Sequence, residues 1–461
     1  MTQEYYRRPI AIDLFAGIGG FSLGFEQAGF DVAVAVEYDP VHAAVHAYNA
    51  PHTRVICADL SAIPSEQIAE AAMAIPHIAG RTGAGAMLDI DVIFGGPPCQ
   101  GFSTMGKRLI DDKRNQLVFH FFRVIRDLRP KYFVMENVPG MNAGGHSSIL
   151  QQLIREFQEE GYQVAQPRIL NAAQFGVPQD RRRLFLLGAR EDQPPPNYPA
   201  ARVCPVPKRT TAALADTIRS EVLSDGIPIG PTVWDAIGDI PDLDTFDDLL
   251  ASDEIRLPEA ILAAQESAAS QYARMLRNSE ADADDFAYPR RWDRARLTNS
   301  LRTVHTEVSI ERFAHTAPGS TESISRFYRL DAGGLSNTLR AGTGSERGAY
   351  TSPRPIHPLL PRVISVREAA RLHSFPDWFR LHHTKWHGFR QIGNAVPPLL
   401  GRAIAAEIRS ALRVWPVRVA QPISLGDTSL LYTDMGSAAR LFGAAKHAIP
   451  QPRTRRVRKE A

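Results

Sequence analysis

The stretch that decides the fold is PIAIDLFAGIGGFSLGFEQAGFDVAVAVE, residues 9–37. An apolar run over 9–15 leads into a glycine-rich turn, a helical stretch over 20–29 that ends at Gly29, and a second apolar run over 31–37. Short apolar runs that alternate with helical patterns are typical of buried parallel strands in a βαβ unit. The segment therefore predicts a strand, a helix and a neighbouring strand of one sheet.

The same alternation continues along the first part of the chain. The pattern predicts helices over 40–49 and 115–128, and strands over 54–59, 90–96, 131–138, 162–170 and 181–189. Such an order indicates an α/β protein whose mainly parallel sheet has helices on both faces.

The pattern changes after residue 190. A proline-rich break, QPPPNYP, covers 193–199, and the periodicity stays poor to about residue 360. Helical patterns return at 366–375 and 397–414, and the last residues end in a basic tail. We therefore expect a smaller irregular region to follow the sheet, and a helical segment to follow that region.

Composition narrows the possible classes of protein. Among the 461 residues 44% are hydrophobic and 22% are charged, which is ordinary for a globular protein, and no apolar run is long enough to span a membrane. Three widely separated cysteines predict neither a disulfide framework nor a CxxC metal site, which favours a reducing compartment. The net charge of +3 decides nothing, but arginines cluster at 181–183, at 290–296 and in the tail, which suits a polyanion or a solvated face.

Two motifs at the ends of the first strands suggest a nucleotide site. The turn in DLFAGIGGFSLG (13–24) would let a ligand approach the backbone at a helix N-terminus, although its spacing is not the dinucleotide GxGxxG and a plain tight turn is equally consistent. Glu37 could hold the hydroxyls of a ribose, Tyr38 could stack on an adenine, and Asp59 could accept a hydrogen bond from its amino group.

Other motifs suggest chemistry at the same edge of the sheet. GGPPCQGFS (95–103) follows an apolar strand, and a cysteine in such a rigid loop resembles a presented nucleophile more than a buried thiol. MENVPG (135–140) would deliver Glu136 to the same rim. Arg181 and Arg183 alternate at the start of a strand and would share one face, and Asn394 in QIGNAVPP (391–398) would by default be a helix cap.

Taken together, these motifs resemble the cytosine-5 methyltransferase family. DLFAGIGG, VEYD, GGPPCQGFS, ENVPG, QFGVPQDRRR, VREAARLHSFPDWF and QIGNAVPP occur in the family order between residues 13 and 398. The resemblance implies a Rossmann-like sheet domain that binds S-adenosylmethionine, a smaller target-recognition domain, and DNA in the cleft between them. It also implies a compact prokaryotic enzyme that modifies one specific duplex sequence, flips the target base and releases S-adenosylhomocysteine.

Residue roles carry over from the family onto matching positions of this chain. The implied catalytic set is Cys99, Glu136, Arg181 and Arg183. The implied cofactor set is Phe15, Gly17, Gly19, Glu37, Tyr38, Asp59 and Asn394. Gln100 and Ser103 would lie on a loop that closes over the flipped base, and from composition we add Arg290, Arg291 and Arg340, in the candidate reading loops 286–298 and 333–350, as DNA-binding residues.

The resemblance also predicts the organisation of the chain. Residues 1–190 would form the catalytic and cofactor-binding domain and 191–385 the recognition domain with its hinge. Residues 386–415 would return to the catalytic domain, and 416–461 would be an appendage with the basic tail. We expect a cytoplasmic monomer, associated with the nucleoid through DNA and possibly paired with a restriction endonuclease.

Two alternatives remain open from the sequence. A related sub-family with the same cysteine and glutamate methylates transfer RNA, and a non-catalytic protein could use the fold to bind DNA. The presence of both Cys99 and Glu136 argues against the second alternative. A dehydrogenase would not explain the Pro-Pro-Cys-Gln segment.

Overall fold

A central sheet of eight strands organises the molecule, in the order β3-β2-β1-β4-β5-β8-β6 with β7 also paired to β8. The computed structural model describes residues 7–79, 88–98, 116–142, 146–209, 226–342 and 354–444. The first five strands run parallel, and β8 is antiparallel to its three neighbours β5, β6 and β7. The strands are β1 Ile10–Leu14, β2 Asp31–Glu37, β3 Arg54–Cys57, β4 Val92–Gly95, β5 Tyr132–Asn137, β6 Tyr162–Val164, β7 Arg168–Asn171 and β8 Arg182–Arg190.

Helices cover both faces of this sheet. In chain order they are α1 Gly20–Gln27, α2 Pro40–Asn49, α3 Ser65–Met73, α4 Pro76–Ala79, α5 Gln116–Leu128 and α6 His146–Glu159. Short 3₁₀ turns occupy Pro139–Asn142 and Ala172–Phe175. The predicted α/β fold with helices on both faces is confirmed.

Alternation along the strands divides the apolar core into two layers. On β4, Phe94 faces the layer that contains α1 and stacks on Phe25 at a centroid distance of 3.7 Å. Its neighbour Ile93 faces the opposite layer, where it shares a cluster with Phe121 of α5. Because successive side chains of a strand point to opposite faces, an unbroken apolar run is what a strand buried on both sides requires.

The C-terminal part of the chain returns to the first helix. It contributes α11 Val366–Leu372, α12 Lys385–Asn394 and α13 Pro398–Leu412, followed by β12 Ile423–Ser424, a 3₁₀ turn Thr428–Tyr432 and α14 Met435–Phe442. Helix α13 packs against α1 so closely that a Cβ on Gly24 would lie 2.7 Å from the carbonyl oxygen of Pro398. A glycine at this position is therefore a condition of the contact between the two helices.

Between the sheet and these helices lies a region of short elements. They are α7 Val233–Ile237, α8 Glu259–Ala268, α9 Gln271–Leu276, α10 Glu307–His315, the strands β9 Ile255–Arg256, β10 Arg290–Arg291 and β11 Arg296–Leu297, and the 3₁₀ turns Leu243–Thr245 and Asp247–Leu250. A small apolar cluster of Leu243, Leu249, Leu257 and Leu297 holds part of it together. The predicted irregular character of this region is confirmed.

Buried charges join this region to α11. Arg371 is fully buried, and its guanidinium pairs with Asp239 and, at 2.8 Å, with Asp377. The hydroxyl of Tyr272 on α9 donates to the carbonyl of Arg371 at 2.8 Å. Removing one partner of such a set leaves an uncompensated buried charge, so these contacts tie α7 and α9 firmly to α11.

The predicted strands and helices agree with those of the structure, with one exception that has a physical cause. Strand β2 and helix α2 have the predicted bounds, and the other parallel strands differ by a few residues at their ends. The single strand predicted over 162–170 is two strands, β6 and β7, which pair one after the other with successive parts of β8. Pro167 lies in the gap and has no backbone N–H to donate to a sheet.

Candidate active site

One cleft of about 420 Å³ lies at the carboxyl ends of β1, β2, β4 and β5. In open parallel sheets, ligands bind at this edge. The lining contains seven residues that the sequence assigns to cofactor binding or catalysis: Phe15, Gly17, Glu37, Tyr38, Glu136, Arg183 and Asn394. Motifs more than 370 residues apart in the chain therefore form one site. Gly19 lies between the lining residues Ile18 and Gly20, whereas Asp59 is not among the lining residues.

The glycine-rich turn after β1 presents its backbone to the cleft. Gly17 adopts φ 56 and Gly19 adopts φ 92, while Phe15 holds the same left-handed conformation at φ 63 despite its side chain. Gly19 caps α1 without any side-chain hydrogen bond, so the first amide groups of the helix have no side-chain partner at the cap. This is the geometry that the sequence predicts for a turn that a ligand approaches closely.

Glu37 closes the turn from the end of β2. Its two carboxylate oxygens accept hydrogen bonds from the backbone of Gly17 at 2.7 Å and of Asp39 at 2.8 Å. The side chain is 12% exposed. Burial, followed by the negative charge of Asp39, raises the pKa of Glu37 to about 7. Each oxygen keeps further acceptor capacity, which suits a ligand with hydroxyl groups.

The two remaining strand-end residues, Tyr38 and Asp59, follow β2 and β3. Tyr38 is 44% exposed and lines the cleft, so one part of its ring is open to a ligand. The Oδ1 atom of Asp59 accepts hydrogen bonds from the backbone and the hydroxyl of Ser61. Asp59 therefore stabilises the turn after β3. Burial raises the pKa of Tyr38, and the negative charge of Asp59 adds to that rise.

Asn394 reaches the cleft from the C-terminal part of the chain. It is the last residue of α12 and is exposed. The default expectation that it caps the next helix is wrong, because the N-cap of α13 is Pro397 and carries no side-chain hydrogen bond. Its amide group is therefore not used as a cap and remains among the groups that line the cleft.

A largely buried ion pair lines the same cleft as the glycine turn. The Nε atom of Arg183 donates to Oε1 of Glu136 at 2.8 Å, and the two side chains are 14% and 13% exposed. Burial raises the pKa of Glu136 above its ordinary value, and the charges of Arg183 and Arg181 oppose that shift. A Cβ on Gly96 would lie 2.8 Å from Oε2 of Glu136, so the glycine before the Pro-Pro segment makes room for this carboxyl group.

Asn137, which the sequence did not single out, connects the two catalytic motifs. Its amide nitrogen donates to the carbonyl of Pro97 at 3.1 Å. Pro97 and Pro98 then line the cleft beside Glu136. Cys99, Gln100 and Ser103 follow directly in the chain and lie outside the described residues. The sequence feature that could have indicated Asn137 is its position directly after Glu136 in the Glu-Asn-Val motif.

Arg181 has a different position from the one predicted. It precedes β8 rather than sharing its alternation, and its guanidinium donates to the backbone carbonyls of Leu339, Gly393 and Ala395 at 2.8–2.9 Å. The side chain is 1% exposed. Among the described residues, the hydrogen bond to Glu136 comes from Arg183, and Arg181 contributes charge and holds the segment around Asn394 in place.

The three arginines predicted to bind DNA lie in different places. Arg290 is 7% exposed and pairs with Glu26 at 2.6 Å near the end of α1 that is remote from the cleft, so its assignment to DNA is wrong. Arg291 is exposed but follows Arg290 on β10 at that same remote edge. Arg340 is exposed beside the cleft, where its backbone lies against Gly393.

The sequence model of C-5 cytosine-specific DNA methylases matches residues 10–410. The chain belongs to this family. It is an enzyme that transfers a methyl group from S-adenosylmethionine to carbon 5 of cytosine in DNA. The match is to enzymes that act on DNA, which favours DNA over the transfer-RNA alternative.

Individual relatives agree with this assignment over nearly the whole chain. The methyltransferase is 49% identical to the type II methyltransferase M.XorII of Xanthomonas oryzae pv. oryzae over 444 residues, which cover 96% of this chain and 94% of the relative. It is 31% identical to the type II methyltransferase M.AgeI of Thalassovita gelatinovora, covering 87% and 99% of the two chains. Among solved structures, a protein described as a DNA modification methyltransferase encoded within an E. coli prophage superimposes with a TM-score of 0.64 at 31% identity, covering 88% and 99%.

The donors and acceptors of the cleft fit the methyl donor. Glu37 offers carboxylate oxygens to ribose hydroxyls at the edge of the sheet where ligands bind. Tyr38 is partly exposed in the same cleft and can contact a ligand. The cleft volume lies within the usual range of ligand pockets. No helix in the described part of the chain is both long and apolar enough to cross a membrane.

Proposed function

We propose that this methyltransferase acts on one specific duplex sequence through a covalent bond from Cys99, with Glu136 and Arg183 holding the target cytosine. The observation that carries this proposal is the Glu136–Arg183 ion pair, which lies in the same cleft as Glu37 and the glycine turn. The chain enters the Cys99 segment from Pro98, which lines that cleft. The nucleophile, the base-holding pair and the methyl donor would thus meet at one edge of the sheet.

The role of Cys99 follows from the chemistry of the base. Carbon 5 is a weak nucleophile in the aromatic ring, and a bond from Sγ of Cys99 to carbon 6 breaks the conjugation and makes an enamine. S-adenosylmethionine, when bound, supplies the electrophilic methyl group. Loss of the carbon 5 proton then expels the Cys99 thiolate and leaves 5-methylcytosine.

Cys57 and Cys204, the cysteines of the described chain, do not compete for this role. Burial and the negative charges of Glu37 and Asp39 raise the pKa of Cys57 to about 12, so its thiol stays protonated at neutral pH. A protonated thiol is a poor nucleophile. Cys204 lies in a bridge to Ile229, in the region of short elements.

Glu136 would protonate or hydrogen-bond N3 of the cytosine. Burial keeps its pKa raised, so the carboxyl group holds a proton more readily than an exposed glutamate does. A proton delivered to N3 compensates the negative charge that enters the ring when the thiolate adds to carbon 6.

Arg183 would hold the O2 carbonyl. Its Nε is engaged by Glu136 and one terminal nitrogen donates to the carbonyl of Arg182 at 2.8 Å. The planar guanidinium has further N–H groups for a carbonyl oxygen, and its positive charge near the rim would favour the thiolate form of Cys99.

The target base must leave the helix to reach this cleft, which costs a few kcal/mol of stacking and pairing. We propose that residues 191–385 form the recognition domain, that 386–415 complete the catalytic domain of residues 1–190, and that 416–461 are an appendage. Gln100 and Ser103 would contact the opened site, and Arg340 would contact a phosphate at its margin. Base edges in the major groove would supply the sequence specificity.

The relatives suggest the biological role. M.XorII and M.AgeI are named as type II methyltransferases. By analogy, we propose that this enzyme protects host DNA beside a paired restriction endonuclease, and that it acts as a monomer in the cytoplasm on the DNA of the nucleoid.

Trapping with 5-fluorocytosine tests the nucleophile. Duplex DNA that carries this base, incubated with enzyme and S-adenosylmethionine, should give a denaturation-resistant complex, because fluorine at carbon 5 prevents release of the thiolate. Cys99→Ala should give none, whereas the matched control Cys204→Ala should trap as the wild type does. An equal yield of complex with Cys99→Ala would overturn the assignment of Cys99 as the nucleophile. Trapping only on transfer RNA would overturn the proposal that the substrate is duplex DNA.

Bisulfite sequencing of DNA from cells that express the enzyme would identify the site. We expect methylation at a single short sequence. Methylation without sequence preference would contradict the proposed recognition domain.

A further inference from the structure

Arg390 of α12 reaches the end of β2 and forms an ion pair that the sequence did not indicate. Its Nη1 donates to Oδ2 of Asp39 at 2.7 Å, although the two residues are 351 positions apart. The Asp39 side chain is 3% exposed and that of Arg390 is 22% exposed, so water screens the pair only partly. Arg390 itself lines the cleft.

Asp39 connects Arg390 to Glu37 at the end of β2. Its Oδ1 caps α2 by accepting from the amide of Val41 at 3.0 Å. Its own amide donates to Oε1 of Glu37 at 2.8 Å, and Oε2 of Glu37 accepts from Gly17 at 2.7 Å. A continuous series of hydrogen bonds therefore runs from Arg390 through Asp39 and Glu37 to the glycine turn.

The position of Arg390 on its helix adds a second connection. Arg390 and Asn394 are one helical turn apart, so they project from the same face of α12, and both line the cleft. The carbonyls of Gly393 and Ala395 are held from the other side by Arg181. The ion pair with Asp39 thus fixes the face of α12 that carries Asn394 over the end of β2.

We propose that Arg390 is a positioning residue for the methyl donor: its pair with Asp39 holds Glu37 and Asn394 in place beside the end of β2. This inference rests on the proposed cofactor roles of Glu37 and Asn394. Arg390 itself need not touch the ligand.

The charges around Glu37 explain why a cation is needed there. The titratable and charged groups of the described chain that face Glu37 are Asp13 of β1, Asp39, His42 of α2, Cys57 of β3 and Arg390. Burial lowers the pKa of His42 to about 4, so the imidazole is neutral at pH 7, and Cys57 is a neutral thiol. Burial and Asp39 raise the pKa of Glu37 to about 7, and the charge of Arg390 opposes this rise. Loss of that charge should move the titration of Glu37 to higher pH.

Binding of S-adenosylhomocysteine, measured by calorimetry from about pH 5.5 to about pH 9, tests the proposal because it needs no turnover. For the wild type, affinity should fall as the pH drops below about 7, where Glu37 takes up a proton. Arg390→Gln should weaken binding roughly tenfold at neutral pH and shift the midpoint of the profile upward. Arg390→Lys keeps the charge and should return the midpoint toward that of the wild type.

Arg402→Gln is the matched control, since Arg402 joins α13 to Asp282 through a similar ion pair outside the cleft lining. It should leave the midpoint where it is in the wild type. A uniform loss of affinity in Arg390→Gln, with an unshifted midpoint, would overturn the proposal and leave Arg390 a purely structural role. If Glu37→Gln binds S-adenosylhomocysteine as tightly as the wild type, the cofactor site itself is misassigned, which is a separate outcome.

Discussion

The two edges of the central sheet use the same residue types for opposite purposes. At the cleft edge, burial raises the pKa of Asp13, Glu37 and Glu136. At the opposite edge, Glu26 and Asp91 are just as buried, yet the charges of Arg290 and His52 lower the pKa of Glu26, and Arg7 and Lys131 lower that of Asp91. At Glu26 and Asp91 the protein's cations outweigh the effect of burial, whereas at the three cleft carboxyl groups burial outweighs the neighbouring cations, even at Glu136 beside Arg183.

The difference separates a site from a structural network. A carboxyl group whose pKa is raised lies in an environment that disfavours its charged form, and such groups cluster where ligands bind. A carboxylate that is stabilised by ion pairs with protein cations contributes to the stability of the fold. The remote edge is also where Arg290 lies, which is why an arginine that looks suited to DNA in the sequence is a structural residue.

The largest effect should follow a change at the cleft edge. Glu136→Gln removes the proton donor to N3 and should lower kcat for DNA methylation by about 10²–10⁴-fold. Binding of S-adenosylhomocysteine should stay within about twofold of the wild type, because Glu136 pairs with Arg183 and is not among the residues predicted to hold the cofactor. Steady-state kinetics with duplex DNA measure the first effect and calorimetry the second. A kcat near that of the wild type would remove Glu136 from the mechanism.

The same substitution at the remote edge should act on folding instead. Glu26→Gln leaves the guanidinium of Arg290 buried without its counter-charge and should lower the free energy of unfolding by about 3–5 kcal/mol. The pKa of Glu26 lies below its ordinary value of 4.5, so the stabilisation is present above pH 4.5 and is lost as the pH falls below it. Urea unfolding should therefore show variant and wild type converging in acid. Unchanged stability at neutral pH would refute the contrast between the two edges.

Glu37→Gln should show a pH dependence of the opposite sign. The pKa of Glu37 is raised from 4.5 to about 7, so the wild type loses stability as the pH rises through this window. The variant does not ionise, and its free energy of unfolding relative to the wild type should increase by about 1–3 kcal/mol between pH 4.5 and pH 7. A difference that stays constant across this range would show that Glu37 is not perturbed.

The smallest effect should distinguish two exposed arginines. Arg340→Ala, beside the cleft, should weaken DNA binding a few-fold and reduce the slope of log affinity against log salt by about 1. Arg291→Ala, at the remote edge, should change neither quantity. Fluorescence anisotropy with labelled duplex over a series of salt concentrations gives both values. Equal effects of the two substitutions would mean that DNA also contacts the remote edge.

Local patterns in the sequence were enough to predict the sheet. Strand β2 is one apolar run bounded by Gly29 and by Glu37, and α2 begins with Asp39 as its cap and Pro40 in its first turn. These signals depend only on neighbouring residues. The acidic strand ends and the Glu136 rim could be placed because the carboxyl ends of parallel strands share one edge.

What could not be predicted depends on contacts between distant segments. Nothing near Arg290 in the sequence shows that it meets Glu26, and nothing near Arg390 shows that it meets Asp39. The roles of Arg181 and Arg183 differ because one precedes β8 and the other lies within it, a boundary that periodicity does not resolve to one residue. Arginine is especially difficult in this respect, since its long side chain can reach a carbonyl, a carboxylate or solvent from the same backbone position.

The packing of α13 on α1 has a consequence for how the enzyme is made. Arg390 and Asn394 line one wall of the cleft and lie on α12, just before α13 in the chain. The glycine turn, in contrast, directly follows β1 near the start of the chain. When only the sheet has emerged from the ribosome, most of the active site has therefore been synthesised, but α12 has not. We expect nascent chains that stop before residue 390 to lack tight cofactor binding, so that methylation ability arises only when translation is nearly finished.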